Sequence, residues 1–139
     1  MNDRKDFEKK IVDVKRLGHV AIRVKDVARA KSFYMSLGMK LVWDDPEWCY
    51  LEAQPSSDGL ALLGPNYKAA GPHFAFHFSN KSEVEKAHKE LIEVGIQVGS
   101  LHEHRDGTSS FYLKDPEGNW LEMLYLPSEG IPSNREPAE

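Results

Sequence analysis

A single cysteine, Cys49, occurs in the 139 residues. That excludes an internal disulfide and a thiolate-rich zinc cluster. No apolar run approaches a membrane span, and the opening Met1-Asn2-Asp3-Arg4-Lys5-Asp6 lacks the apolar core of a signal peptide. Basic charge is not in excess either: the formal net charge is −4, so no nucleic-acid or membrane partner is expected. What is present, 40% hydrophobic and 29% charged residues, is enough for one cytoplasmic globular domain with a real core.

Two short stretches then stand out, His19-Val20-Ala21-Ile22-Arg23-Val24 and His73-Phe74-Ala75-Phe76-His77-Phe78. Each reads His-apolar-Ala-apolar-x-apolar, and each is followed by a polar break, an amphipathic stretch and a glycine stop, Gly38 or Gly95. Two copies of one plan imply a pseudo-twofold domain, and a histidine repeated at the same place can meet its counterpart near the axis.

Taken in order, residues 1–15 carry Phe7, Ile11 and Val14 at helical spacing, read as a short amphipathic helix or a solvated leader. Alternation over 17–24 predicts a strand with His19, Ala21 and Arg23 on one face. Asp26 is placed to cap a helix over 27–37 whose apolar side holds Val27, Ala30, Phe33, Tyr34 and Leu37. Strands follow at 39–43, 48–53 and 60–63. The second copy repeats this: a strand over 73–78, a helix from Asn80–Ser82 to about Val94, and strands near 96–100, 109–114 and 119–126, the last two joined by a tight Asp115-Pro116-Glu117-Gly118-Asn119 turn. The expected division is a leader 1–15, a first module 16–66, a linker 67–72, a second module 73–127 and a mobile tail 128–139. The fold class is α+β: two βαβββ modules related by pseudo-twofold symmetry, forming a cupped mixed sheet with helices outside.

Facing histidines bring two imidazoles to one point, and a third donor is sought on the strands lining the same cup. Overlaying the copies through their last hairpins pairs Tyr50 with Tyr112 and Leu62 with Glu122. Glu122 is the one acid in the otherwise apolar run Trp120-Leu121-Glu122-Met123-Leu124, a costly placement unless it is paired or bound to a cation. Two imidazoles and a carboxylate make a facial triad with open positions, suited to Fe(II) and accepting Mn, Zn, Ni or Co.

These two copies, closed by Asp115-Pro116-Glu117-Gly118-Asn119-Trp120-Leu121-Glu122, resemble the vicinal oxygen chelate superfamily, which includes glyoxalase I, extradiol dioxygenases, fosfomycin-resistance enzymes and bleomycin-resistance proteins. The resemblance covers about residues 17–126. It implies metal ligation by His19, His73 and Glu122, a small-molecule substrate with adjacent oxygens, and a homodimer. Glyoxalase I has a fourth ligand on the last strand of its first copy, where the overlay puts Leu62. Fosfomycin thiol transferases carry a threonine where Ala21 stands, and their potassium loop is only partly echoed in Asp106-Gly107-Thr108-Ser109-Ser110. Extradiol dioxygenases have a tyrosine ten residues before the glutamate, as Tyr112 is here, and an upstream histidine that moves protons, for which His102 and His104 are candidates beside a plain solvated-loop reading.

The favoured expectation is extradiol-type dioxygenase chemistry. Its alternatives are a glyoxalase-type lyase or isomerase and a bleomycin-resistance-like binding protein without turnover. Arg23, His77 and Tyr50 are read as substrate contacts, with a surface ion pair as the alternative for Arg23, cup lining or a salt-bridge partner for His77, and a plain sheet residue for Tyr50. Trp43, Trp48 and Trp120 are read as core or interface, and Cys49 as an inert buried thiol.

Overall fold

The computed structural model describes residues 9–103 and 107–127. The leading residues up to 8, the tail from 128 and His104 lie outside the described residues. Ten elements follow one another: β1 (Leu17–Arg23), α1 (Val27–Ser36), β2 (Lys40–Asp45), β3 (Trp48–Glu52), β4 (Gly59–Leu63), β5 (His73–Phe78), α2 (Lys81–Glu93), β6 (His102–Glu103), β7 (Ser109–Lys114) and β8 (Trp120–Tyr125). The strands form one eight-stranded sheet in the order β2-β3-β4-β1-β5-β8-β7-β6. Each module pairs its first strand in parallel with its last, β1 with β4 and β5 with β8. The two first strands join antiparallel at the centre of the sheet. The βαβββ duplication is therefore the architecture found.

Local chemistry explains the helix ends. Asp26 accepts a hydrogen bond from the Arg29 amide at 3.0 Å and caps α1. Asn80 does the same for α2 through the Glu83 amide at 2.9 Å, while Glu83 Oε1 reaches back to the Ser79 amide, a capping box shifted by one residue. Gly38 and Gly95 adopt φ of 103° and 88°, the left-handed conformation that ends a helix at little cost for glycine alone. The Asp115–Asn119 turn is tied by one side chain. Asp115 Oδ1 accepts from the amides of Glu117 (2.8 Å) and Asn119 (2.9 Å), and Oδ2 accepts from the Asn119 side chain. This loop sets the β7–β8 register, in which Tyr112 stands opposite Glu122.

The helix-facing side of the sheet is apolar. Phe78, Phe111, Leu113, Leu121 and Met123 pack with Val84, Ala87 and Leu91 of α2. On the other module Cys49, Leu51 and Leu62 pack with Val27, Ala30 and Tyr34 of α1. Burial of the Cys49 thiol pushes its pKa up to about 11, so it stays protonated and unreactive at neutral pH.

Three expectations are corrected. Phe33 and Leu37 are exposed, because only the stripe Val27–Ala30–Tyr34 of α1 meets the sheet. The strand expected over 96–100 is not formed. Val98 makes one bridge to Leu113, and the edge position passes to β6, which pairs with β7 one residue out of step. Gly99 lies at this break, its amide bonded to the Tyr112 carbonyl at 2.7 Å, and an added Cβ would meet that oxygen at 3.1 Å. Of the two readings of residues 1–15, a short amphipathic helix or a solvated leader, the helix is not formed over the described part, 9–15, where Ile11 and Val12 pack against the α2-side core. No helix among the described residues is long and apolar enough to cross a membrane.

Candidate metal centre

The repeated His-x-Ala pattern acquires a reason in the β1–β5 pairing. His19 stands opposite Ala75, and Ala21 stands opposite His73. Each imidazole thus faces the other copy's alanine, and directly opposed positions are only about 4.5–5.5 Å apart at Cβ. A larger residue there would occupy the space the ring needs. Ala75 is fully buried. Ala75→Leu is expected to overpack this contact, lowering unfolding free energy by about 1–3 kcal/mol in a denaturant titration and displacing His19.

Glu122 enters from β8, opposite Ala75 across the parallel pair. Three donor atoms converge: His19 Nε2 lies 3.4 Å from His73 Nε2, and Glu122 Oε1 lies 3.5 Å and 3.3 Å from them. These residues form the one group among the described residues able to hold a metal ion, with ligand atoms all within 4.8 Å. His19 and Glu122 are 7% and 6% exposed, so water does not screen the cluster. The near-equilateral triangle also fits an ion by size, since a point equidistant from its corners is about 2.0 Å from each, the usual metal–nitrogen and metal–oxygen length.

The far nitrogens of both rings are tied. His73 Nδ1 donates to the Gly71 carbonyl at 2.8 Å, and His19 Nδ1 lies 2.8 Å from His77 Nε2. A proton held on each Nδ1 leaves Nε2 free as a lone-pair donor. The electrostatics agree. Burial opposes the charge of Glu122, but hydrogen bonds and charge from His19 and His73 outweigh it and hold its pKa down at about 2. His73 is burdened by burial too, yet Glu122 and the Gly71 carbonyl raise it above its ordinary value. Burial, then the charges of His19 and Arg16, bring His77 down to about 4, so it is neutral at pH 7.

Two tyrosines frame the centre. The Tyr112 ring meets His73 edge-on at 5.2 Å and the Tyr50 ring meets His19 edge-on at 5.6 Å. Burial, followed by the Glu122 charge, pushes the Tyr112 phenol well above its ordinary value, so it stays protonated. Tyr50 is buried, its hydroxyl has no hydrogen-bond partner among the described residues, and Gly59 makes room for it.

The overlay of the modules needs a correction of one residue. Tyr112 pairs with Glu122, whereas Tyr50 pairs with Ala61. Ala61, not Leu62, is therefore the counterpart of Glu122, and Leu62 belongs to the α1-facing core. The segment between β3 and β4, 53–58, is one residue longer than the Asp115–Asn119 turn between β7 and β8, which is why the overlay slips. Neither Ala61 nor Leu62 offers a donor atom, so the first module supplies His19 alone.

Other expected residues fall as follows. Arg23 points into the linker, where its guanidinium donates to the carbonyls of Gly64 (2.7 Å), Tyr67 (2.8 Å) and Ala70 (3.5 Å). His102 is exposed on β6 opposite Ser110, on the sheet face that carries Tyr112 two residues on. Trp43 and Trp48 line the first module's side of the cup with Tyr67, their rings 5.9 Å and 5.7 Å apart in sequence. Trp120 is half exposed at the rim, with the Lys114 ammonium 4.9 Å over its ring. A cavity of about 360 Å³ opens beside the triad, lined by residues 68–71 with His73, Tyr112 and Trp120. Tyr67, Lys68 and Trp120 were not legible as site residues. The linker has no counterpart in the other copy, so the repeat carries no signal for Tyr67 and Lys68, while Trp120, on β8, reads from the sequence as core or interface.

A family model described as Glyoxalase/Bleomycin resistance protein/Dioxygenase superfamily matches residues 16–123. A curated relative, biphenyl-2,3-diol 1,2-dioxygenase 3 of Rhodococcus globerulus, is 26% identical over 118 residues, covering 78% of this chain and 62% of the relative. Among solved structures, homoprotocatechuate 2,3-dioxygenase from Arthrobacter globiformis matches with a TM-score of 0.69 at 23% identity, over 86% of this chain and 38% of that one. The 2,2',3-trihydroxybiphenyl 1,2-dioxygenase from Sphingomonas wittichii matches with a TM-score of 0.59 at 24% identity, over 88% and 48%. These structural likenesses bear on the fold. The chain spans less than two thirds of the length of each of these proteins.

Proposed function

Because the chain belongs to the Glyoxalase/Bleomycin resistance protein/Dioxygenase superfamily, we propose that its cup houses a divalent-metal centre held by His19, His73 and Glu122, and that it performs extradiol-type dioxygenase chemistry on a small catechol-class substrate. The observation that carries this reading is the convergence of three buried donor atoms beside an open cavity. Iron(II) is the favoured ion for two imidazoles and one carboxylate, and Mn, Zn, Ni or Co suit the same donors. Such an ion supplies Lewis-acid stabilisation of charge on the substrate's adjacent oxygens and, as iron, redox chemistry with dioxygen.

The chain's own groups do the rest. The cavity volume is at the lower end of the roughly 300–1,000 Å³ common for small-molecule sites, which suits a single substituted ring. Trp43, Trp48 and Tyr67 form a largely apolar wall that keeps water from the first module's side. Tyr112 is a hydrogen-bond donor to a substrate oxygen, because its phenol stays neutral. A neutral phenol and a carboxylate held at about 2 are poor proton acceptors at pH 7. An imidazole is then the fitting acceptor of a substrate hydroxyl proton, and His102 or His104 is proposed for it. The Rhodococcus relative supports the substrate class.

The lyase reading is disfavoured by Ala61, which leaves the first module's last strand without a donor. A binding protein without turnover has no use for a triad this buried. The test is metal analysis of the purified protein, then anaerobic loading with iron(II) and oxygen uptake with a panel of catechols. Stoichiometric iron with catechol-dependent oxygen uptake is expected. No uptake together with turnover of a thiol–aldehyde adduct would establish the lyase reading, and a metal-free protein that binds small aromatics without turnover would establish the binding one.

A further inference from the structure

Building on the metal-centre reading above, we propose that His77 is a positioning residue for that centre: its ring accepts the Nδ1 proton of His19 and so fixes which His19 nitrogen faces the ion. The geometry is direct. His77 Nε2 lies 2.8 Å from His19 Nδ1, with the two rings 5.0 Å apart and inclined at 63°. A neutral imidazole carries one N–H. If His19 Nε2 is to offer a lone pair beside His73 and Glu122, the proton must sit on Nδ1 and donate outward. His77 Nε2 is then the acceptor, with its own proton on Nδ1.

The backbone is shaped to allow this contact. A Cβ on Gly18 would fall 2.0 Å from His77 Cγ, so the ring occupies space that only glycine leaves open. The β1–β5 register shifts between Leu17 and His19, and the His77 amide bonds to the Arg16 carbonyl at 3.3 Å beside that irregularity. Bulges of this kind re-aim a side chain. The partner of His73 is a backbone carbonyl, that of Gly71, whereas His19 relies on a side chain that substitution can remove.

The two copies also support each other crosswise. His77 and Arg23 each follow their module's histidine by four residues. His77 bonds the first module's ligand, while Arg23 binds the carbonyls of Gly64, Tyr67 and Ala70 in the linker that delivers Gly71 to the second module's ligand. The Nε2 of His77 is thereby already engaged, which leaves substrate contact as the weaker account of this residue.

The test is titration of the metal-free full chain with Co(II), read by its visible absorption band, for the unaltered protein and for His77→Leu, His77→Gln and Gly18→Ala. Glutamine can place an amide oxygen near the position of Nε2 and keep the acceptor. His77→Leu and Gly18→Ala are expected to weaken Co(II) binding about 10–100-fold, and His77→Gln to remain within about threefold of the unaltered protein. Equal binding by His77→Leu would overturn the proposal. So would a His77→Gln variant that folds, by circular dichroism, yet binds as weakly as His77→Leu, since packing and not the hydrogen bond would then matter. If the unaltered protein bound no Co(II), the metal-centre reading itself would fail, a separate outcome.

Discussion

Glu122→Gln abolishes divalent-metal binding, and with it turnover, while leaving the fold intact: this is the largest effect expected of any single substitution. Glutamine keeps the volume of the side chain but replaces an anionic donor with a neutral amide. The three corners of the site lie within 3.3–3.5 Å of one another, and no other His, Cys, Asp or Glu among the described residues joins the group. The loss should exceed the 10–100-fold typical of a residue that merely orients a ligand. Metal content after loading and dialysis, alongside circular dichroism, measures both halves of the expectation. A folded Glu122→Gln variant that retains stoichiometric metal would take the residue out of the site.

The contact between Glu122 and His73 predicts a pH signature. Glu122 is held down at about 2 from an ordinary 4.5, so its contribution to the stability of the metal-free protein is present above pH 4.5 and lost as pH falls toward 2. His73 is raised from 6.5, so its contribution is complete below pH 6.5 and lost as pH rises through its higher folded value. The metal-free fold therefore gains most from this contact between about pH 4.5 and 6.5. Metal binding runs the other way at the upper edge, because the ion must displace the His73 proton. Apparent metal affinity accordingly rises with pH through the histidine range and levels off above it.

Tyr112→Phe should leave metal binding nearly unchanged and lower kcat by about 10²–10³, the usual cost of losing one donor aimed at developing charge. Phenylalanine preserves the edge-on packing against His73 and removes only the hydroxyl, which separates the two roles. Tyr50 is the internal control. It holds the matching place against His19, but its buried hydroxyl has no hydrogen-bond partner among the described residues and faces Gly59 instead of an acid. Tyr50→Phe removes an unsatisfied polar atom and is expected to be neutral or slightly stabilising, with kcat unaltered. Steady-state kinetics on metal-loaded protein checks both variants. An undiminished kcat for Tyr112→Phe would leave the proposed hydrogen bond without support.

Much of this is legible in the amino-acid sequence. Periodicity and punctuation placed both helices and seven of the eight strands, because an aspartate or asparagine cap, a glycine stop and a period-two apolar pattern act over a few residues. The repeated histidine and the isolated acid in an apolar run pointed to the converging triad for the same local reason. The edge region near 99 was misread, since Gly99 and the step in register are determined by how closely the chain approaches β7, which no local pattern encodes. The Leu62 overlay slipped because the two last turns differ, and a one-residue slip in a strand reverses the face of every side chain.

Taken alone, then, the amino-acid sequence determined the duplication, the element order and the identity of the donor groups, all of which follow from short-range spacing. Only the tertiary structure decided what stands across from what: alanine opposite each histidine, Tyr112 opposite Glu122, Ala61 opposite Tyr50, and His77 against His19 through the gap at Gly18. Those pairings join residues up to 58 positions apart, through hydrogen-bonded registers and a missing Cβ. The pairings around the histidines are fixed by the packing of two modules against each other, a long-range condition to which neither copy alone is subject, whereas the Tyr112–Glu122 and Tyr50–Ala61 registers are set within each module by its last turn.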